Sequence, residues 1–166
     1  MHFLPPPLPH SLTSLIDECD RALAMPPCDT LRAALALHRQ GVITCPVTDT
    51  RYLPIALLNA APHVLAALAD VPELADAAAG ADVSLRSAAW DDFQAPGSAH
   101  GIVPAPTVSA DMFNDAADGE RQVFLIIARV FLAQFYPPVR YWKDSDPGGR
   151  RILNPGWRRA MPRQEA

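Results

Sequence analysis

Proline is spread along almost the whole chain and limits the length of any helix or strand that it can form. Of the 166 residues, 18 are proline, about twice the ordinary share of about 5%. Proline inside a helix removes a backbone hydrogen bond and clashes with the preceding turn, and in a sheet it is tolerated mainly at edges. We therefore expect no long strands, and helices that are short or confined to proline-poor stretches.

The first proline-poor stretches predict two helices that form a hairpin. The first helix begins at Ser11, whose side chain can cap it, and ends at Pro26. Asp29 is placed to cap a second helix over residues 30–39. Gly41 follows that helix in a position that favours a positive φ.

Three prolines divide the middle of the chain. Pro54, Pro62 and Pro72 each precede an apolar-rich stretch, and proline suits the first position of a helix because its missing N–H is not needed there. We expect three short helices, of which the last ends at Gly80. One longer helix that is kinked at Pro62 is the alternative.

The most apolar stretch lies between Gly119 and Pro137. Its sequence, QVFLIIARVFLAQFY, is apolar on nearly every side and is long enough to favour a helix over a strand. A helix over about 120–136, buried all round, is therefore the expected centre of the core. Arg129 lies within it and needs a partner, for which an acidic residue of the first helix is the candidate.

These patterns together predict a mainly α fold. We expect a compact bundle of short helices around the buried helix, with one or two short strands at 42–45 and 81–85, and with extended tails. The domains expected are a proline-rich N-terminal arm (1–10), a helical domain (11–136) with a long loop (91–108), and a basic, aromatic C-terminal tail (137–166).

Charge is divided unevenly along the chain. Residues 140–166 carry seven basic and three acidic side chains, a net charge of +4, whereas the rest of the chain carries −8. Three roles are open for this basic tail: it wraps the acidic body, it binds a protein partner, or it binds nucleic acid, since aromatic rings stack on bases and arginine binds phosphate. The expected partner-binding residues are Trp142, Arg150, Arg151, Trp157, Arg158 and Arg159.

The residue pattern predicts neither a metal site nor a cofactor. Cys19, Cys28 and Cys45 are widely spaced, and no histidine lies three to five residues from another histidine or a cysteine. The glycine motifs that cradle phosphates in nucleotide-binding loops are also absent. We therefore expect no metal and no cofactor.

Catalysis would require residues that are distant in sequence to meet in the fold. A thiol of Cys28 or Cys45 could pair with an imidazole, but nothing in the spacing favours this over ordinary packing. Asp91, Asp92 and His100 flank the long loop and could form an acid–base group. That assembled site is the enzymatic alternative, and no catalytic residue is predicted from a motif.

Secretion and membrane insertion are not predicted. The longest apolar run, 123–133, is interrupted by Arg129 and is shorter than the roughly 18 residues that a membrane span needs. The first ten residues lack lysine and arginine and are broken by prolines, unlike a secretory signal. An odd number of cysteines suits a reducing compartment, so we expect a cytoplasmic protein without a membrane partner; self-association stays open.

The stretch TDTRYLPIALLNAAPHVLAALAD, residues 48–70, is similar to a segment of small phage-encoded accessory proteins. That resemblance implies a phage or mobile-element origin. With the uneven charge and the absence of a catalytic pattern, we expect a small, non-enzymatic adaptor or accessory protein that binds a protein partner through its basic tail and long loop. A nucleic-acid-binding accessory protein that uses the same tail is the other alternative.

Overall fold

The computed structural model describes residues 1–143 and 149–162. Its first two helices, α1 (Leu12–Leu23) and α2 (Pro27–Arg39), pack against each other as the predicted hairpin. Ser11 caps α1 as expected: its hydroxyl oxygen accepts a hydrogen bond from the backbone N–H of Ser14 at 3.3 Å. The second helix begins earlier than predicted, because Pro27 occupies its first turn.

The middle of the chain forms short helices, as the prolines indicate. A 3₁₀ helix (Ile55–Ala60) follows Pro54 and leads directly into α3 (Ala61–Ala69), which carries Pro62 in its first turn. The helix α4 (Ala75–Ala79) comes after a turn that contains Pro72. The change from 3₁₀ to α geometry occurs one residue before Pro62, where the sequence left a kinked helix open.

The apolar stretch forms the helix α6 (Asp118–Ala133), which lies in the core, but Leu125 and Ile126 are only half-buried, so the helix is not buried on every side as expected. It contacts α1, α2 and α4, and the short helix α5 (Ala110–Asn114) places the ring of Phe113 5.1 Å from that of Phe124. Just beyond α6, the buried Tyr136 hydroxyl donates to the backbone oxygen of Ala77 at 2.7 Å. Burial raises the pKa of that hydroxyl.

Arg129 in α6 is satisfied by backbone oxygens and not by the first helix. Its guanidinium donates to the carbonyl of Glu73 at 3.0 Å and to that of Ala160 at 3.3 Å. The prediction of an acidic partner from α1 is therefore wrong. Arg129 instead joins the α3–α4 region to the C-terminal part of the chain.

The segment 91–108 lacks helices and strands but is packed into the structure. Ile102 and Val103 are buried, and the backbone of Ile102 forms an isolated bridge with that of His10. The predicted strand at 42–45 is reduced to a single bridge between Ile43 and Pro104. Residues 81–85, the other predicted strand, form a turn.

The two ends of the chain build a three-stranded antiparallel sheet. Its strands are β1 (His2–Leu4), β2 (Val139–Lys143) and β3 (Arg150–Asn154), in the order β1-β2-β3. The predicted helical bundle with extended tails is therefore wrong, because the residues expected to be tails pair with one another through their backbones.

The proline-rich N-terminal segment is held along its length. Arg51 donates to the carbonyl oxygens of Leu8 and Pro9 at 2.9 and 2.8 Å. The amide of Gln134, which is 1% exposed, donates to the carbonyl oxygen of Pro7 at 2.7 Å. These bonds carry the segment across the end of α6 and bring β1 to β2.

A second 3₁₀ helix (Gly156–Ala160) packs the C-terminal segment against α6. The indole N–H of Trp157 donates to the carbonyl oxygen of Leu4 at 3.0 Å, and its backbone N–H donates to Pro137 at 3.0 Å. Residues 144–148 and 163–166 of the predicted tail lie outside the described residues. Within the described part, no helix is both long and apolar enough to cross a membrane.

Candidate nucleic-acid interface

The three-stranded sheet gathers positive charge. Six cations lie in the described part of residues 137–162, where the sequence has no acidic residue: Arg140, Lys143, Arg150, Arg151, Arg158 and Arg159. Four of the large apolar side chains that are exposed in the described chain lie in the strands of the sheet, namely Phe3, Trp142, Ile152 and Leu153, and a fifth, Met1, directly precedes β1. An exposed surface that combines apolar and cationic side chains is typical of a binding site.

One side of the sheet, which we call the open face, presents Phe3, Arg140, Trp142 and Arg151. Phe3 pairs with Arg140, and Trp142 pairs with Arg151, so each aromatic ring has an arginine directly across the ladder. Phe3 is 61% exposed and Trp142 is 48% exposed. Both arginines are exposed as well. Two accessible rings beside two accessible guanidinium groups can contact bases and phosphates together.

The other side of the sheet carries a small cavity, and for that reason we call it the concave face. Leu4, Val139, Tyr141 and Ile152 line a cavity of about 30 Å³, and Arg150 and Arg158 complete its wall. The Tyr141 ring is already in contact with neighbours on this face. His2 stacks on it with ring centroids 5.4 Å apart, and the Arg150 guanidinium lies 5.3 Å from its centroid.

The structure divides the six partner-binding residues predicted from the sequence. Trp142 and Arg151 lie on the open face, and Arg150 and Arg158 lie on the concave face. The half-buried Trp157 holds β1 in place through its bond to Leu4, and Arg159 lies in the 3₁₀ helix, where its charge acts on Tyr136. The six residues therefore do not form one continuous patch.

Two residues of the open face were missed by the sequence analysis. Phe3 was assigned to an extended arm, and Arg140 was counted only as charge. The alternation of side chains in a strand would have placed Arg140 with Trp142, had the segment been predicted as a strand. The contribution of Phe3 depends on the pairing of β1 with β2, which has no local signal.

The acid–base group considered for the long loop is not assembled. Asp91 accepts from the backbone N–H groups of Phe93 and Gln94, and Asp92 accepts from the N–H of Ile55 at 2.8 Å. His100 contacts the backbone oxygen of Gly101 at 2.8 Å. Asp91 therefore organises a turn, and Asp92 binds the first residue of the 3₁₀ helix Ile55–Ala60. Within the described chain no hydrogen bond joins either carboxylate to His100.

The three cysteines are free thiols and differ in their burial. Cys19 is buried, and burial raises the pKa of its thiol to about 11, whereas Cys28 and Cys45 are exposed. No group of three or more histidine, cysteine or acidic side chains in the described residues is arranged to hold a metal ion. The sheet remains the surface with the clearest binding character.

Comparison with known proteins identifies the family. The family model described as DNA topoisomerase matches residues 2–166, so the chain belongs to the DNA topoisomerase family. It is 36% identical to DNA topoisomerase 3 of Vibrio cholerae, over 92% of this chain and 25% of that protein. It is 28% identical to DNA topoisomerase 3 of Haemophilus influenzae, over 96% of this chain and 26% of that protein.

The solved structure of full-length topoisomerase I from Thermotoga maritima has the same fold over this region. The match has a TM-score of 0.63 at 15% identity, and it covers 99% of this chain and 28% of the other. The chain thus spans about a quarter of the length of the curated relatives it matches.

These comparisons correct the function expected from the sequence. The prediction of a non-enzymatic adaptor or accessory protein is wrong, because the chain belongs to the DNA topoisomerase family. The prediction of a phage accessory protein is wrong for the same reason. It rested on a segment of 23 residues, 48–70, whereas the family match extends over nearly the whole chain.

Proposed function

We propose that the protein acts on DNA as part of a DNA topoisomerase, and that the open face of its sheet binds a single DNA strand. Family membership supports DNA as the substrate. The observation that carries the site is the pairing of two exposed aromatic rings with two exposed arginines on one sheet face. In a bacterial cell such a protein would work in the cytoplasm, as the sequence analysis expects.

The arrangement of Phe3 and Trp142 favours a single strand over a duplex. An exposed ring can stack on an unpaired base directly, and such stacking contributes about 1–3 kcal/mol per base. In a duplex the same contact requires unstacking neighbouring base pairs, which costs a few kcal/mol per step. The two rings therefore gain their full contribution only on unpaired bases.

Arg140 and Arg151 supply the electrostatic part of the proposed site. Each lies across the ladder from an aromatic residue, so a base stacked on the ring brings its phosphate close to a guanidinium group. Because no acidic residue lies in the described sequence around them, these arginines have no carboxylate on the sheet with which to pair. Their contribution should fall as the salt concentration rises.

The proposal is tested by measuring the affinity for a fluorescein-labelled oligothymidine by fluorescence anisotropy. Trp142→Ala should weaken binding by roughly 5- to 150-fold, which corresponds to the loss of one stacked base. Phe93→Ala is the matched control, because Phe93 is 93% exposed but lies in the segment 91–108 and not in the sheet. A DNA hairpin of equal length should bind more weakly than the single strand.

Equal losses for Trp142→Ala and Phe93→Ala would refute the proposed site. So would unchanged binding in Trp142→Ala together with a cooperative unfolding transition, which would show that the variant is folded. A duplex that binds as tightly as the single strand would contradict the claim that stacking on unpaired bases favours the single strand.

A further inference from the structure

The concave face has features that the proposed DNA site does not use. Its cavity is lined by three aliphatic side chains, Leu4, Val139 and Ile152, together with Tyr141 and two arginines. With a volume of about 30 Å³, it has room for one or two waters or a methyl-sized group. An aliphatic floor of this size cannot accept the ring of a nucleic-acid base.

Tyr141 also cannot serve as a free stacking platform on this face. The His2 ring lies parallel to it within 21°, and the Arg150 guanidinium lies near its centroid. A base could stack on Tyr141 only by displacing one of these neighbours. The concave face therefore lacks the feature that favours single-stranded DNA on the open face.

We propose that the concave face binds an acidic, extended peptide segment of another protein. A terminal methyl group of a branched aliphatic side chain of that segment enters the cavity between Val139 and Ile152, and flanking carboxylates bind Arg150 and Arg158. This inference concerns the side of the sheet opposite the proposed DNA site and does not depend on it.

Charge complementarity requires an anionic partner, and the aliphatic lining of the cavity favours a peptide over nucleic acid. Arg150 and Arg158 are exposed and line the same cavity, and neither side chain contacts a carboxylate within the described residues. A carboxylate is a planar acceptor that fits the guanidinium fork, and such charge-assisted bonds are stronger than neutral ones. The aliphatic floor then selects a peptide that combines acidic and branched apolar residues.

A second copy of this chain is a less suitable occupant. Two copies related by two-fold symmetry would place the same surface against itself, and this would bring Arg150 and Arg158 of each copy near those of the other. Like charges at an interface are unfavourable. An acidic partner avoids this repulsion.

The test uses a synthetic peptide, acetyl-Gly-Glu-Ile-Glu-Glu-Gly-amide, titrated against the full chain by isothermal calorimetry. Two control peptides replace the three glutamates by glutamine or the isoleucine by asparagine. We expect the acidic isoleucine peptide to bind at least about tenfold more tightly than either control. The double variant R150Q/R158Q should lose at least about tenfold in affinity for it.

Matched variants separate this site from the DNA site. R39Q removes an exposed arginine of α2 and should leave peptide binding unchanged, as should Trp142→Ala on the open face. The R150Q/R158Q variant should keep most of its affinity for oligothymidine. Circular dichroism and urea unfolding confirm that each variant is folded.

Several outcomes would overturn the proposal. Equal affinity for the glutamine peptide would show that the carboxylates do not contribute to binding. Equal affinity for the asparagine peptide would show that the cavity does not bind the isoleucine side chain. Loss of oligothymidine binding in R150Q/R158Q with retention in Trp142→Ala would assign the concave face to DNA. Concentration-dependent self-association that R150Q/R158Q abolishes would make a second copy the occupant.

Discussion

Gly156, the first residue of the C-terminal 3₁₀ helix, packs against Pro137 and Pro138 just before β2, and a single methyl group there should disrupt this contact. Its φ is +47°, in the left-handed region. A Cβ atom would lie 2.7 Å from both the carbonyl carbon and the oxygen of Pro138, and it would also overlap the carbonyl oxygen of Pro137. These are backbone atoms, so no side-chain rotation can relieve the overlap.

The expected cost of Gly156→Ala follows from these contacts. The left-handed backbone costs a residue with a Cβ about 1–2 kcal/mol, and overpacking adds about 1–3 kcal/mol. Relief by backbone movement would lengthen the bond from the Trp157 N–H to Pro137, which contributes about 1 kcal/mol. The free energy of unfolding should fall by about 3–6 kcal/mol.

Gly41→Ala is the matched control for this prediction. Gly41 also has a positive φ, +76°, but an added Cβ would meet no atom within 4 Å. It should therefore cost only the backbone part, about 1–2 kcal/mol. Urea unfolding followed by far-UV circular dichroism measures both variants. Equal losses in the two would show that the C-terminal segment does not pack on Pro137 and Pro138 as described.

Three further predictions concern Tyr136, Gly80 and His10, which lie outside the sheet. Tyr136→Phe leaves the Ala77 carbonyl without its donor and should lower the free energy of unfolding by about 1–2 kcal/mol. Because a Cβ at Gly80 would lie 2.5 Å from the Tyr136 hydroxyl, Gly80→Ala should cost less in the Tyr136→Phe background than in the native chain; additive losses in urea unfolding would contradict that contact. Burial lowers the pKa of His10 from 6.5 to about 4, with the positive charge of Arg51 as a second cause. Protonation therefore favours the unfolded chain. The contribution of neutral His10 to the free energy of unfolding is present above pH 6.5, and the free energy of unfolding should fall by about 2 kcal/mol between pH 7 and pH 5. His10→Gln should remove most of this pH dependence, and an unchanged dependence would assign it to other groups.

The helices could be predicted from the sequence because their signals are local. Ser11 caps α1, and Gly41 follows α2 with the positive φ expected of it. The apolar stretch that forms α6 is visible as composition alone, although the helix ends at Ala133 and not near 136. In each case the deciding residues lie within a few positions of the element that they define.

The sheet could not be predicted in this way because its pairing is non-local. The bond from the Trp157 indole to Leu4 joins residues that are 153 positions apart, and β1 has only three residues. A strand this short has no recognisable period in a single sequence. The same reason explains the candidate site: Trp142 and Arg151 were found by residue type, whereas Phe3 and Arg140 join them only after β1 and β2 pair.

The salt dependence of oligothymidine binding tests the proposed open-face site most directly. For a single strand, the logarithm of the association constant falls with the logarithm of salt concentration by about 0.7 per phosphate contact. The double variant R140Q/R151Q should reduce that slope by about 1.4, whereas R39Q, which removes an arginine from the surface of α2, should leave it unchanged. If R140Q/R151Q keeps the native slope, the strand is held elsewhere on the molecule.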